Sequence, residues 1–172
     1  MMVKRISFFV LLFLSVCTAT AQVTALDEKK PETVNGIEFG YYIRNEQEKT
    51  VKDEEYSRFE ITFYAVNKSG CSKIFLDRGS ILTSSDAAAS TIASFSCINA
   101  NGKRFTSKGG SVKAKEFYVN VKVRENDKDV TRSAKAGFIF RNGETISSNI
   151  IVLVPKGERP KVQCMVNNLA EL

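Results

Sequence analysis

Residues 111–124 read Ser111-Val112-Lys113-Ala114-Lys115-Glu116-Phe117-Tyr118-Val119-Asn120-Val121-Lys122-Val123-Arg124 and alternate apolar with polar for most of their length. A period of two marks a strand with one apolar face. The parity changes midway. Val112 and Ala114 hold even positions, whereas Phe117, Val119, Val121 and Val123 hold odd ones. A parity change inside one strand needs an inserted residue, so the pattern predicts a β-bulge near Lys115-Glu116.

The same period recurs on both sides of this stretch. Downstream, residues 125–129 are charged and read as a turn. Ala134, Ala136, Phe138 and Phe140 then form an inward face. Asn142-Gly143 is a two-residue hairpin signal, because such turns need positive φ at both positions. Residues 150–154 are apolar on both faces, as in a central strand, and Pro155 stops them. Val162, Cys164 and Val166 point inward from a last strand.

Upstream, Ile37, Phe39, Tyr41 and Ile43 alternate with polar residues, as do Phe59, Ile61, Phe63 and Ala65. Residues 45–56 have no apolar face and read as a long exposed loop. Asn67-Lys68-Ser69-Gly70 is a turn cluster and also an N-glycosylation sequon. Short strands are expected at 73–76 and 80–83, with a single helical turn near 84–90. Residues 91–99 resume as strand, and Asn101-Gly102 turns the chain back along 103–106.

About eight strands with turns every 8 to 12 residues predict an all-β, antiparallel, immunoglobulin-like β-sandwich, with a β-barrel as the alternative. The chain has 172 residues, enough for one domain. Its formal charge is +6, from 25 Lys and Arg against 19 Asp and Glu, and it has no His. The lack of imidazole removes Ser-His-Asp and Cys-His catalysis and the commonest zinc sites.

The first 21 residues read as an export signal. Lys4 and Arg5 precede an apolar run at 6–16, and Ala19-Thr20-Ala21 supplies a small-x-small cleavage site. Cleavage after Ala21 places the protein in the periplasm or outside the cell. The alternative is a lipoprotein anchored at Cys17, although Val16 fits poorly before a lipidated Cys. Residues 22–34 carry mixed charges without periodicity and read as a flexible leader. Residues 35–172 form the single domain.

Export permits disulfides. Of Cys71, Cys97 and Cys164, the favoured pair is Cys71–Cys97; Cys97–Cys164 or no bridge are the alternatives. Cys164 reads as an inert core thiol. No phosphate loop of the GxxxxGK type and no GxSxG elbow occurs. Glu125, Asp127 and Asp129 lack the spacing and Gly of a calcium loop, so no metal or cofactor is called for.

Charge is unevenly spread. Residues 27–60 hold ten acids and six bases; residues 103–124 hold seven bases and one acid. If Phe117, Val119, Val121 and Val123 face inward, then Lys113, Lys115, Tyr118, Lys122, Arg124, Lys135 and Arg141 line an outer basic face. The functional expectation is therefore a non-enzymatic binding or structural module of the cell envelope or extracellular space. Its partner would be an anionic envelope polymer, a lipid headgroup or an acidic protein, and not a nucleic acid. The competing expectation is an exported hydrolase using carboxylates such as Glu38, Asp53, Glu54, Glu55 and Glu60. An apolar run of about a dozen residues is too short to make this an integral membrane protein.

Overall fold

The computed structural model describes residues 22–76, 90–99, 101–102, 104–105 and 109–167. The export signal, the short strand expected at 80–83 and all but Ser90 of the turn expected at 84–90 lie outside them. Among the described residues eleven strands follow in order: β1 Gln22–Leu26, β2 Glu32–Val34, β3 Ile37–Val51, β4 Glu54–Asn67, β5 Lys73–Leu76, β6 Thr91–Ile98, β7 Gly110–Lys113, β8 Lys115–Glu125, β9 Lys128–Phe140, β10 Thr145–Pro155 and β11 Lys161–Val166. Every ladder is antiparallel, and no helix among the described residues is long and apolar enough to cross a membrane.

Three sheets result, in the orders β1-β11-β6-β7, β10-β4-β3-β2 and β5-β9-β8, and none closes into a barrel. The first two face each other as a sandwich. Phe63 of β4 stacks on Phe95 of β6, with ring centroids 4.6 Å apart and planes at 7°. Around this pair lie Phe39, Phe59, Ile61, Ile92, Val112, Val152, Val154 and Val162, all at most 1% exposed. The third sheet adds Phe75, Phe138 and Phe140 to the same core. Fully burying a side chain of this size stabilises by about 1.5–3 kcal/mol, so these residues dominate the fold.

The inward residues of β3, β4 and β11 are those the alternation names. Several other expectations are corrected. Residues 22–34 are not a leader: β1 pairs with β11 from Gln22↔Val166 to Leu26↔Val162, and β2 pairs with β3. Backbone hydrogen bonds carry β1, and Leu26, at 7% exposed, is its core contact, so it left no periodicity to read. Asn35 and Gly36, both at positive φ, make the β2–β3 turn.

Residues 45–56 are likewise not a loop. They are the far half of the β3–β4 hairpin, closed by Lys52 and Asp53 at φ 51° and 64°. Neither face there is apolar, so backbone pairing has to hold this half. β10 is not central but the edge strand beside β4. Its Val152 and Val154 are buried, while Ile151 and Leu153 are 53% and 43% exposed. Asn142-Gly143 turns the chain, yet β9 and β10 do not pair; the turn carries the chain from the third sheet to the second.

The parity change at residues 114–117 has a different cause from the one the pattern suggests. Val112 and Ala114 face the core from the β7 segment, and the Ala114 N–H donates to the Ser90 carbonyl at 2.8 Å. The chain then leaves that sheet, and β8 begins in the third one. The extra residue lies on the partner strand. Phe117 pairs with Gly137 and Tyr118 with Lys135, so Ala136 is bulged out of β9.

The polar anchor of the fold is Asn67, fully buried at the end of β4. Its Nδ2 donates to the carbonyls of Cys71 and Phe140 at 2.9 and 2.8 Å. Its Oδ1 accepts from the Ser69 N–H and hydroxyl at 3.1 and 2.6 Å. The sequon therefore does not present a surface amide: both Nδ2 protons are taken inside the fold.

Candidate functional site

The basic residues named from sequence centre on the β8–β9 hairpin, whose turn residues Asn126 and Asp127 both have positive φ. Near the core, β9 buries Phe138 and Phe140. Beyond the bulge at Ala136 the hairpin runs on as an arm with both faces accessible, and β8 pairs with β9 alone among the described strands.

Strand alternation and register assign the two faces of the arm. One carries Phe117, Val119, Val121 and Val123, with Val130 opposite Val123 and Ala134 opposite Val119. Val121, Val123 and Val130 are 37–38% exposed, Phe117 and Val119 are half-buried, and none belongs to the core cluster. The expected inward row is thus a surface row. The core is reached from the opposite face, through Phe138, and only at the base of the hairpin.

That opposite face brings together Tyr118, Lys122, Arg124 and Lys135, with Asn120, Asp129, Thr131 and Ser133 between them. The other three residues of the expected stripe do not join it. Lys113 belongs to β7 in the first sheet. Lys115 shares the side of Phe117 and meets Glu144 at 2.6 Å. Arg141 lies in the turn after β9, where its N–H donates to Glu144 at 2.9 Å. The stripe fails because the chain changes sheets at Ala114, which removes Lys113, and because β8 has no inserted residue, which leaves Lys115 on the side of Phe117.

Acids also temper the basic character of the arm. Glu116 accepts from the Tyr118 hydroxyl at 2.6 Å and sits 3.2 Å from the Lys135 ammonium. The hydrogen bond from Tyr118, then the bond and charge of Lys135, hold the Glu116 carboxyl below its ordinary value. Lys135 is not fully outward: its nitrogen lies 4.5 Å from the Phe138 ring centroid, a cation–π geometry. Arg124 has a loose 3.4 Å contact with Asp127. Lys113 and Lys122 have no acid within salt-bridge distance among the described residues. Burial alone would raise the Glu144 carboxyl, but its bonds from Lys115 and the Arg141 N–H, with the charges of both residues, outweigh that and lower it.

The expected Cys71–Cys97 bridge is absent: Cys71, Cys97 and Cys164 are all free thiols. Cys71 is exposed in the turn before β5, whereas Cys97 faces the core from β6 opposite Val162. Burial pushes the thiols of Cys97 and Cys164 up to about 12. Thiol reagents attack the thiolate. Titration of the folded protein should therefore label Cys71 at least about a hundredfold faster than Cys97 or Cys164, with all three equal in denaturant. Equal rates in the folded state would show that the core is open at β6 and β11.

Two hollows were candidates for an enzymatic cleft. One, of about 300 Å³, lies over β6 and is lined by Ser94, Ser96, Arg104, Phe105, Gly109 and Met165, among others. The other, of about 370 Å³, lies between β3, β4 and β10, where Glu60 is the carboxylate and is bridged to Arg58 at 2.6 Å. Neither brings two carboxylates together. Among the described residues no three His, Cys, Asp or Glu are grouped to hold a metal ion.

Sequence reading missed two features. One is Asn67 as a buried polar pin, hidden because an Asn before Ser and Gly reads as a surface turn. The other is the half-exposed valine row, whose alternation is identical to that of a core strand. No protein-family model, curated protein or solved structure matches the chain.

Proposed function

We propose that this chain is an exported, non-enzymatic binding or structural module of the cell envelope or extracellular space, and that the β8–β9 arm is its contact surface. The observation that carries this reading is the arm itself. It is a long hairpin beyond the core, with an apolar row on one face and Tyr118, Lys122 and Arg124 on the other. A monomeric fold gains little from leaving Val121, Val123 and Val130 in water, whereas a contact that covers such a row gains apolar burial. The charged face suits an anionic partner, either an envelope polymer, a lipid headgroup or an acidic protein. Export rests on Lys4, Arg5, the apolar run and Ala19-Thr20-Ala21.

The test is affinity capture from an extract of the organism's own envelope. Replacing Lys122 and Arg124 by Ser leaves the core untouched and should preserve the β-type circular dichroism. Capture at low salt should fall at least about tenfold, and the residual binding should lose its salt dependence. Equal capture by the double variant would assign these side chains to solubility and place the function elsewhere.

A further inference from the structure

Among the described residues β8 is an unpaired sheet edge, and charged side chains apart, it lacks the devices that commonly protect one. Edge strands are commonly short, bulged or interrupted by proline. β1, β2, β5 and β7 have three to five residues each, and β10 ends in Pro155. β8 has eleven residues and no proline, and the bulge in its ladder sits on β9. Its sequence is Lys115-Glu116-Phe117-Tyr118-Val119-Asn120-Val121-Lys122-Val123-Arg124-Glu125.

That sequence is complementary to itself when reversed. We propose that two copies of this chain pair edge to edge through antiparallel β8 strands, about a two-fold axis at Asn120. In this register Glu116 faces Arg124 of the second copy, and Lys115 faces its Glu125. Tyr118 lies beside Lys122, Phe117 beside Val123, and Val119 beside Val121. Asn120 meets Asn120. Each pair recurs on the other side of the axis. Every charged residue of the strand except Lys122 meets its opposite, and Lys122 meets an aromatic ring. All apolar neighbours fall on the valine face, so two half-exposed rows become one continuous row of eight side chains.

The backbone permits this register. Directly opposite residues lie on the same face in an antiparallel pair, and here opposite residues always have like parity. Whichever alternate set of N–H and C=O groups β8 leaves unpaired therefore meets its own counterpart. Neighbouring registers are poorer. An axis at Val121 sets Phe117 against Glu125, and one at Val119 sets Lys115 against Val123. A second long edge, β10, has no such symmetry: paired with itself about Ile150, it sets Asn149 against Ile151 and Ser147 against Leu153. Pairing has to share or exchange existing partners: Lys115 meets Glu144 at 2.6 Å, Glu125 meets Arg132 at 2.7 Å, and Glu116 holds Tyr118 and Lys135. Arg124 holds Asp127 only at 3.4 Å, with side chains 73% and 94% exposed, and that geometry is worth little. The product is a six-stranded sheet, β5-β9-β8-β8-β9-β5, with no exposed β8 edge.

This inference concerns the strand's edge and stands apart from the envelope partner, which would meet the arm's faces. Sedimentation equilibrium of the purified protein up to about 1 mM should show a monomer–dimer equilibrium. Arg124→Glu sets carboxylate against carboxylate at both ends of the paired strands, and Glu116→Arg sets guanidinium against guanidinium at the same two places. Each variant alone should have its dimer dissociation constant raised at least about tenfold. Mixed one to one, they should form a heterodimer, because Glu116 of the first variant then faces Arg124 of the second, and the two substituted positions set carboxylate against guanidinium at the other end. In a Cys71→Ser background, Asn120→Cys should cross-link to itself on mild oxidation. Lys122→Cys should not, since four residues of offset separate the two thiols by about 13 Å. A wild-type protein that stays monomeric, or single variants that dimerise as wild type does, would overturn the proposal. So would a mixture that fails to pair. A monomer that still captures its envelope partner would sink self-pairing and leave the binding reading standing.

Discussion

Replacing Asn67 by Ala should destabilise the protein by about 3 kcal/mol, among the largest effects of any polar substitution here. Asn67 is 0% exposed, and its two Nδ2 protons satisfy the carbonyls of Cys71 and Phe140. Its own backbone adds two more links, donating to the Glu144 carbonyl at 3.1 Å and accepting from the Gly143 N–H at 2.8 Å. One residue thus ties the end of β4 to the turn before β5, the end of β9 and the start of β10. Truncation takes a donor from the Cys71 and Phe140 carbonyls at once, and a buried acceptor that loses its donor costs about 1–3 kcal/mol. Asn67→Asp should be at least as damaging at neutral pH, because a carboxylate has no proton to offer two carbonyls. Its folded state would favour the neutral acid, so its deficit should shrink on acidification. Urea unfolding of both variants measures this. A loss below about 0.5 kcal/mol for Asn67→Ala would mean that the pin is dispensable.

Phe63→Ala should cost about 4 kcal/mol. Phe63 is 0% exposed and stacks on Phe95 at 4.6 Å, so it is the contact between the two sandwich sheets. Gly110 makes room for it: a Cβ at Gly110 would lie 2.5 Å from a Phe63 ring carbon, closer than packed atoms approach. Removing the ring leaves a void bounded by Phe95, Gly110 and Ile150, and glycine has no side chain with which to fill it. Phe95→Ala should cost a similar amount. The double variant should lose about 1 kcal/mol less than the sum, since the stacking is lost only once. Full additivity would show that the two rings do not couple.

Asn67 and Phe63 belong to the same strand, yet only one of them announced its role. Phe63 follows Phe59 and Ile61 at a period of two, and that period is a direct record of one-sided burial. Asn67 interrupts the period before Lys68, Ser69 and Gly70, where a polar residue ordinarily faces water. Its burial depends on two carbonyls, Cys71 and Phe140, that arrive from the next turn and from a strand 73 residues away. No local pattern encodes that arrival. The same holds for β1, which is held by its ladder with β11, and for the far half of the β3–β4 hairpin.

The amino-acid sequence by itself determined the strand period, the antiparallel all-β class, and the inward rows of β3, β4 and β11, because these follow from local sterics and one-sided burial. It also carried the reverse complementarity of β8, which is a property of eleven consecutive residues. Only the tertiary structure decided which alternating rows are covered. Phe63 and Val119 sit in equally regular alternations, but β6 lies across from Phe63 and nothing described lies across from Val121 or Val123. Tertiary structure also decided that the parity change at Ala114 is a step between sheets rather than a bulge, which scatters the basic residues over two sheets and a turn. Alternation measures the difference between a strand's two faces. Which face meets water depends on what the rest of the chain brings against it.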